Sequence, residues 1–459
     1  LNIDMASPDQ GGCHVAVVGS GPSGFYAAEA LLQAIPGVHV DMFEALPVPY
    51  GLVRSGVAPD HPKLKEVTAV FERIASAYNF RLLANVRVGA DVTVEELREF
   101  YHAVIFACGA QSEKAFGVQG EALPGSHTAT AFVGWYNGHP AYTDHTFDLS
   151  HDTAVIVGQG NVAADVCRIL MTPVDSLRNT DMADHALEAL ARSRVKHVHM
   201  IGRRGPAQAS FSPRELRELI GIAGCTATAD AHECVLGPSC REEIEARTNL
   251  NARKNVELFT SCASAGTPMV DRTIHFRFGW SPAVIHGPEK VRRITLQHNR
   301  LSGPPFAQFA QPDEVTCGID CGLVLRSIGY RGVAIPGLPF DLDQGTLPHD
   351  RGRVIGEHGP VAGAYVTGWL KRGPSGIIGT NRADSIETVA TLIQDWPQLS
   401  ARPRPGSAAA RALLALRAVR VVGFNDWQTI DAAELKRGRQ LGRPRSKFSR
   451  IEQMLKLLG

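Results

Sequence analysis

Short apolar runs bounded by glycines recur along the chain, and several lead directly into a helix with an apolar face. Residues 14–18, His-Val-Ala-Val-Val, read as a buried parallel strand. They run into Gly19-Ser20-Gly21-Pro22-Ser23-Gly24, which opens an apolar helix over 25–34, and a second strand over 38–43 ends on Glu44. The pattern then predicts a Pro- and Gly-dense loop over 45–62, an amphipathic helix over 63–76, a strand over 80–88, a short helix over 93–101 introduced by Asp91, and a buried strand over 103–108.

A second unit of the same kind begins at Thr153. The strand 153–157 meets Gly158-Gln159-Gly160-Asn161-Val162-Ala163, which leads into a helix over 164–170. A helical excursion over 172–194 separates it from its partner strand, 195–201, which ends on Gly202-Arg203-Arg204-Gly205. Segment 225–264 is polar and weakly patterned; 274–278 and 291–297 read as paired strands, and 322–328 as a buried one. A strand over 364–367 ends in Gly368-Trp369, and a glycine-rich turn then opens a helix over 384–394. After the Pro-rich linker 401–405 come helical patterns at 407–417 and 432–437, in which no chemistry is visible.

The glycine spacing carries physical meaning in this context. Gly19 permits a tight turn, Gly21 lets the backbone approach a pyrophosphate, Gly24 lets helix and strand pack, and the helix N-terminus offers N–H groups to phosphates. Glu44 stands where a carboxylate accepts hydrogen bonds from a ribose diol. In the second unit that place holds Arg203 and Arg204. A carboxylate repels a 2′-phosphate, whereas guanidiniums bind it through charge-assisted hydrogen bonds, so the first site suits FAD and the second NADP. A flavin beside a nicotinamide implies hydride transfer.

Composition narrows the alternatives. Lys and Arg (47) balance Asp and Glu (46) over 459 residues, which excludes bulk attraction to nucleic acid or anionic membranes; any partner surface is local. No run of eighteen apolar residues occurs, and residues 1–12 show neither a signal-peptide nor a transit-peptide pattern. Nine scattered cysteines without C-x-x-C read as reduced packing residues; they give no metal site and no dithiol relay.

With these motifs in hand, and with Tyr50-Gly51-Leu52-Val53-Arg54-Ser55-Gly56-Val57-Ala58-Pro59-Asp60-His61-Pro62, Phe132-Val133-Gly134-Trp135-Tyr136-Asn137 and the 368–380 turn, the chain resembles the adrenodoxin reductase family. These are ferredoxin–NADP reductases of the glutathione-reductase-like flavoproteins. The resemblance implies an α/β fold of two Rossmann-like domains, with the FAD domain discontinuous (12–110 and 330–459) and the NADP domain (111–329) inserted in it. It puts FAD on Ser23, Glu44, Leu52, Val88, Trp369, Gly376, Ile377 and Ile378, besides Gly19, Gly21 and Gly24. NADP falls on Gly158, Gln159, Gly160, Asn161, Arg203, Arg204 and Glu215, with Gly376 shared.

By the same resemblance, hydride passes from NADPH to the flavin, and single electrons then pass to a small acidic [2Fe–2S] ferredoxin bound at a basic patch of Arg217, Arg253 and Lys254. His61, paired with Glu218, is the titratable group nearest the flavin. The implied setting is the mitochondrial matrix, at most peripheral to a membrane, as a monomer serving cytochrome P450 systems such as those of steroid metabolism. The competing readings are a reductase acting directly on a small molecule or quinone, a flavin monooxygenase, and a slow NADPH-binding redox sensor.

Overall fold

The computed structural model describes residues 12–246, 248–264 and 270–459, so the reading of the extreme N-terminus, up to residue 11, lies outside the described residues. Two parallel sheets dominate. One orders its seven strands His349–Asp350, Arg353–Gly356, Gly359–Val366, Ala103–Phe106, Cys13–Val18, Val38–Glu44 and Phe80–Ala84. The last five of these are mutually parallel. The other sheet has six parallel strands in the order Ser126–Thr128, Leu323–Arg326, Thr153–Val157, His197–Gly202, Thr273–Phe278 and Thr226–Ala229. The chain leaves the first sheet after Phe106, builds the second, and returns to the first. A two-stranded ribbon of Ser112–Glu113 with Tyr330–Arg331 joins the outgoing and returning segments.

In each sheet the strand before the glycine turn has one neighbour that follows it in sequence and one reached by a long crossover. Strand order therefore reverses beside it, which opens a crevice at the carboxyl ends of the strands. The alternating faces fill two cores: Val15 and Val17 with Phe25 and Leu31 on one side, Ala16 and Val18 with Phe43 and Phe106 on the other. Phe25 stacks on Phe71 at 4.8 Å and meets Tyr50 at 5.6 Å, fixing the 45–62 loop against the first helix. Each such aromatic contributes on the order of 1.5–3 kcal/mol by burial.

Several elements differ from their sequence patterns. Residues 274–278 and 291–297 do not pair. Thr273–Phe278 lies in the six-stranded sheet, while Arg293–Ser302 is the middle of a separate antiparallel sheet with Trp280–His286 and Phe309–Asp320. Both alternate apolar with polar, and periodicity alone does not choose a partner. The helix over 63–76 is broken into Pro62–Lys65 and Thr68–Ala75, where Thr68 Oγ1 donates to the Lys65 carbonyl at 2.9 Å in competition with the helical ladder.

The strand over 80–88 stops at Ala84, because Asn85 turns left-handed at φ 59°. The helix Val94–Phe100 starts from Thr93, not Asp91; Thr93 and Glu96 form a reciprocal capping box. Segment 225–264 is ordered as Thr226–Ala229, Pro238–Glu245 and Leu250–Ala263. The C-terminal helices cover both faces of the first sheet: Gly406–Leu416 packs Leu414 into the core of Phe43 and Phe106, while Phe424–Gln440 and Ile451–Lys456 bring Trp427, Ile430 and Met454 into the core of Phe25 and Leu31.

Candidate functional site: two nucleotide turns and the cluster between them

At the first turn, Gly24 is required by packing alone: a Cβ there would lie 2.0 Å from the Gly19 carbonyl oxygen. Gly21 is different. Its backbone is extended (φ −77°, ψ −177°) and a Cβ would meet no atom within 4 Å, so the protein itself does not demand glycine. That open side, in front of the N-terminus of Pro22–Ala34, has the space and the N–H groups that suit a pyrophosphate.

Glu44 Oε2 accepts from the Ser20 hydroxyl at 2.5 Å and the Ser20 amide at 3.2 Å, and Oε1 from the Leu46 amide at 3.0 Å. Oε1, with a single donor on it, retains accepting capacity for a ribose hydroxyl. The 45–62 loop lies on this turn: the Tyr50 amide donates to the Ser20 carbonyl at 3.0 Å, and Gly51 abuts Gly21. The returning chain completes the site. Ser23 Oγ donates to Asn381 Oδ1 at 2.9 Å, and Gly368 packs so tightly on Ser23 that a Cβ would lie 2.2 Å from its hydroxyl.

The second turn repeats the design. Gly160 is extended (φ −123°, ψ 179°), and a Cβ there would again meet nothing within 4 Å, before the helix Asn161–Met171. Gln159 folds inward, its Nε2 donating to the Arg277 carbonyl at 3.0 Å, so only its backbone faces the turn. Segment 203–212 runs beside it: the Ser210 amide donates to the Gln159 carbonyl at 2.7 Å and the Ser212 amide to Asn161 Oδ1 at 2.8 Å. Arg203 is exposed and Arg204 half-buried, and among the described residues neither guanidinium has a carboxylate partner. Two unengaged guanidiniums beside a glycine turn fit a nucleotide phosphate.

Between the sheets sits a charged cluster that sequence reasoning found only in part. His61 Nε2 lies 2.9 Å from Glu218 Oε2 and 3.9 Å from Glu215, and its Nδ1 is 3.9 Å from Asp165. Glu215, assigned to NADP, thus stands in the His61 cluster. Arg168 organises the group, gripping Asp60 at 2.6 and 2.9 Å and Asp165 at 2.8 Å, with Glu215 at 3.5 Å. Burial pushes the Asp165 and Glu215 carboxyls up despite Arg168. Burial also acts on Asp60 and Glu218, but Arg168 outweighs it at Asp60, and Arg214 and His61 outweigh it at Glu218, holding both below their usual range. His61 therefore faces one carboxylate kept ionised and two pushed toward the protonated form, an arrangement that can hold a proton and pass it on. One ligand-type atom each of His61, Glu215 and Glu218 lies within 4.8 Å of the others, but Glu218 is already engaged by His61 and Arg214.

Asp60, Asp165 and Arg168 were missed by sequence reading, although two charges at i, i+3 in an otherwise apolar helix were a signal. The C-terminal segment was read as bare of chemistry and is not bare of charge. Buried Glu434 takes Arg54 at 2.6 and 2.9 Å, and Lys447 donates to the Arg54 and Asn137 carbonyls and pairs with Asp181 at 3.1 Å. Of the remaining candidates, Trp369 donates to the Ser375 carbonyl at 3.1 Å and contacts Tyr330. Leu52, Gly376 and Ile377 are exposed, Ile378 is half-buried, and Val88 packs partly into the core beyond its strand. Arg217, Arg253 and Lys254 are exposed on two neighbouring helices, and Arg253 pairs with Glu257 at 3.4 Å. All nine cysteines are free.

A family model for NAD(P)-binding Rossmann-like domains matches residues 17–84. Over 455 residues the chain is 45% identical to the mitochondrial NADPH:adrenodoxin oxidoreductase of Homo sapiens, covering 97% of this chain and 92% of that protein. It is 44% identical over 453 residues to the NADPH-ferredoxin reductase FprA of Mycobacterium leprae, covering 97% and 98%. The structure of Mycobacterium tuberculosis FprA in complex with NADPH superimposes with a TM-score of 0.92 at 42% identity, covering 98% of this chain and all of that one. With both nucleotide turns, the discontinuous first sheet and near-complete coverage in agreement, the chain belongs to the family of adrenodoxin reductase and FprA, two-dinucleotide-domain NADPH–ferredoxin reductases.

Proposed function

We propose that this protein carries electrons from NADPH through FAD to a [2Fe–2S] ferredoxin. The observation that carries the reading is the pair of glycine turns with open cradles, one finished by Glu44 and the other by Arg203 and Arg204. FAD is held by Gly19, Gly21, Ser23, Gly24, Glu44, Leu52 and Val88 with Trp369 and Gly376 to Ile378 of the returning chain; NADPH by Gly158 to Asn161, Arg203, Arg204 and Glu215. Domain limits at 12–110, 111–329 and 330–459 divide the chain accordingly. When bound, FAD supplies the step from a two-electron hydride donor to one-electron delivery. The chain's own work is to orient the nucleotides at the two turns and to hold the His61 ring against Glu218.

Purified yellow protein should drive NADPH-dependent cytochrome c reduction that is strongly stimulated by added [2Fe–2S] ferredoxin, with NADH a poor donor. Flavin bleaching without ferredoxin stimulation would move the function to a direct reductase. The acidic partner is expected at Arg217, Arg253 and Lys254, through electrostatic steering. Charge reversal there should flatten the salt dependence of ferredoxin reduction, and an unchanged slope removes the patch from the proposal. Among the described residues no helix is long and apolar enough to cross a membrane. Residence in the mitochondrial matrix, a monomeric state and service to a cytochrome P450 system form the finer part of the reading. The mitochondrial relative supports that part, and the bacterial one is equally similar.

A further inference from the structure

The turn that carries Arg203 and Arg204 is held from outside its own βαβ unit. The Arg203 carbonyl accepts from Asn299 Nδ2 at 3.2 Å, in the middle strand of the antiparallel sheet, and the Arg204 carbonyl from the Gly279 amide at 3.0 Å, just before the strand Trp280–His286. The third hold is a relay. The Gly205 amide donates to Gln208 Oε1 at 3.2 Å, and Gln208 Nε2 donates to Glu243 Oε2 at 2.7 Å. Glu243 is only 4% exposed, and its other oxygen accepts from Gln308 Nε2 at 2.8 Å and the Phe306 amide at 2.6 Å. Among the described residues it has no ion-pair partner.

A buried carboxylate satisfied by N–H donors alone has one sense it can impose. As an acceptor on both oxygens, it forces the Gln208 amide to point its nitrogen at Glu243 and therefore its oxygen at Gly205. The nitrogen's other contact, the Cys240 thiol at 3.5 Å, is a weak acceptor and a weak donor and so imposes no sense; without the Glu243 anchor the amide can rotate by half a turn and lose its acceptor at Gly205, releasing the turn. Proceeding on the reading of Arg203 and Arg204 as the 2′-phosphate readers, we propose that Glu243, acting through Gln208, is a positioning residue for coenzyme choice: it fixes the turn from which both guanidiniums reach the phosphate of NADP.

The test is calorimetric binding of 2′,5′-ADP and of 5′-AMP to the flavin-loaded protein. Glu243→Gln and Gln208→Ala should each weaken 2′,5′-ADP about tenfold, the worth of one buried hydrogen bond to a charged group. 5′-AMP, which lacks the 2′-phosphate, should bind each variant as it binds the parent. Because the two residues act in series, the double variant should lose no more than Gln208→Ala alone. Gln208 is only half-buried, so its variant keeps the test alive if Glu243→Gln fails to fold. Unchanged 2′,5′-ADP affinity in Gln208→Ala, losses that multiply in the double variant, or equal losses for both nucleotides would overturn the proposal. Arg203→Ala/Arg204→Ala is measured alongside. If it too leaves 2′,5′-ADP binding intact, the phosphate reading itself falls; if it abolishes binding while Gln208→Ala leaves the affinity unchanged, only the relay falls.

Discussion

At both glycine turns the middle glycine is extended and faces open space, yet the two turns are closed by different means. Glu44 is held from within its own unit by Ser20 and Leu46, so the proposed ribose acceptor is built by local sequence. The Arg203–Arg204 turn takes its holds from Asn299, Gly279 and Gln208, the first two far away in the chain. One backbone device thus recurs at both turns. Under the proposed assignment, the chemistry that separates the two cofactors sits at the end of the second strand of each unit, where a carboxylate or a guanidinium pair would meet the ribose.

The sharpest way to break that comparison is at the middle glycines. Gly21→Ala and Gly160→Ala both place a methyl in extended backbone with no protein atom to strike, so both should fold with unfolding free energies near the parent. Gly21→Ala should lose the yellow flavin on purification; Gly160→Ala should keep it and lose NADPH binding. Absorption spectra and nucleotide titrations of the two proteins check this, and a shared phenotype would show the cradles are not assigned one to each cofactor.

Next in size is Arg203→Ala/Arg204→Ala. Two charge-assisted hydrogen bonds at about 1.5–3 kcal/mol each put the loss of NADPH-over-NADH preference at about 10²–10⁴-fold in kcat/KM. The NADH value itself should hardly move.

A third effect concerns how the halves are held together. Burial raises the Asp181 carboxyl, but Lys447 and Lys65 outweigh it and hold it down to about 2. A carboxyl depressed in the folded state contributes stability that is fully present above its unfolded value of 3.8 and is lost as pH falls through about 2. That contribution is on the order of 2 kcal/mol. Asp181→Asn should therefore flatten the acid limb of stability between pH 5 and pH 2, measured by denaturant unfolding. It should also lower stability at neutral pH by leaving Lys447 and Lys65 buried without their counter-charge.

The smallest effect is expected at the contact between the sheets. His61→Gln removes the titratable partner of Glu218 while leaving Arg214 in place, and stopped-flow flavin reduction by NADPH should slow about tenfold. An unchanged rate would make His61 a structural hydrogen-bonder only.

Much of this was legible in the sequence because the signals were local. A five-residue apolar strand, a glycine turn and a helix identify themselves, and both such units stand where the pattern puts them, with Glu44 and the arginine pair at the ends of their second strands. The His61–Glu218 pairing came from resemblance. What sequence could not give depends on chain segments that meet only in space. The antiparallel sheet was misassigned because Arg293–Ser302 alternates like any half-buried strand. Arg168 with Asp60, Lys447 with Asp181, and Glu243 with Gln208 join residues whose types alone suggest ordinary surface charges. Breaks such as Asn85 and Thr68 were invisible because a single side-chain choice overrode a longer periodicity.

The most direct test of the two-site account is an anaerobic titration of the flavin-loaded protein with NADPH and with NADH, followed by oxidised [2Fe–2S] ferredoxin. Near-stoichiometric bleaching by NADPH, little by NADH at the same concentrations, and recovery of the flavin colour when ferredoxin is added are the predicted result. Equal bleaching by the two nucleotides, or a bleached flavin that ferredoxin does not reoxidise, would contradict it.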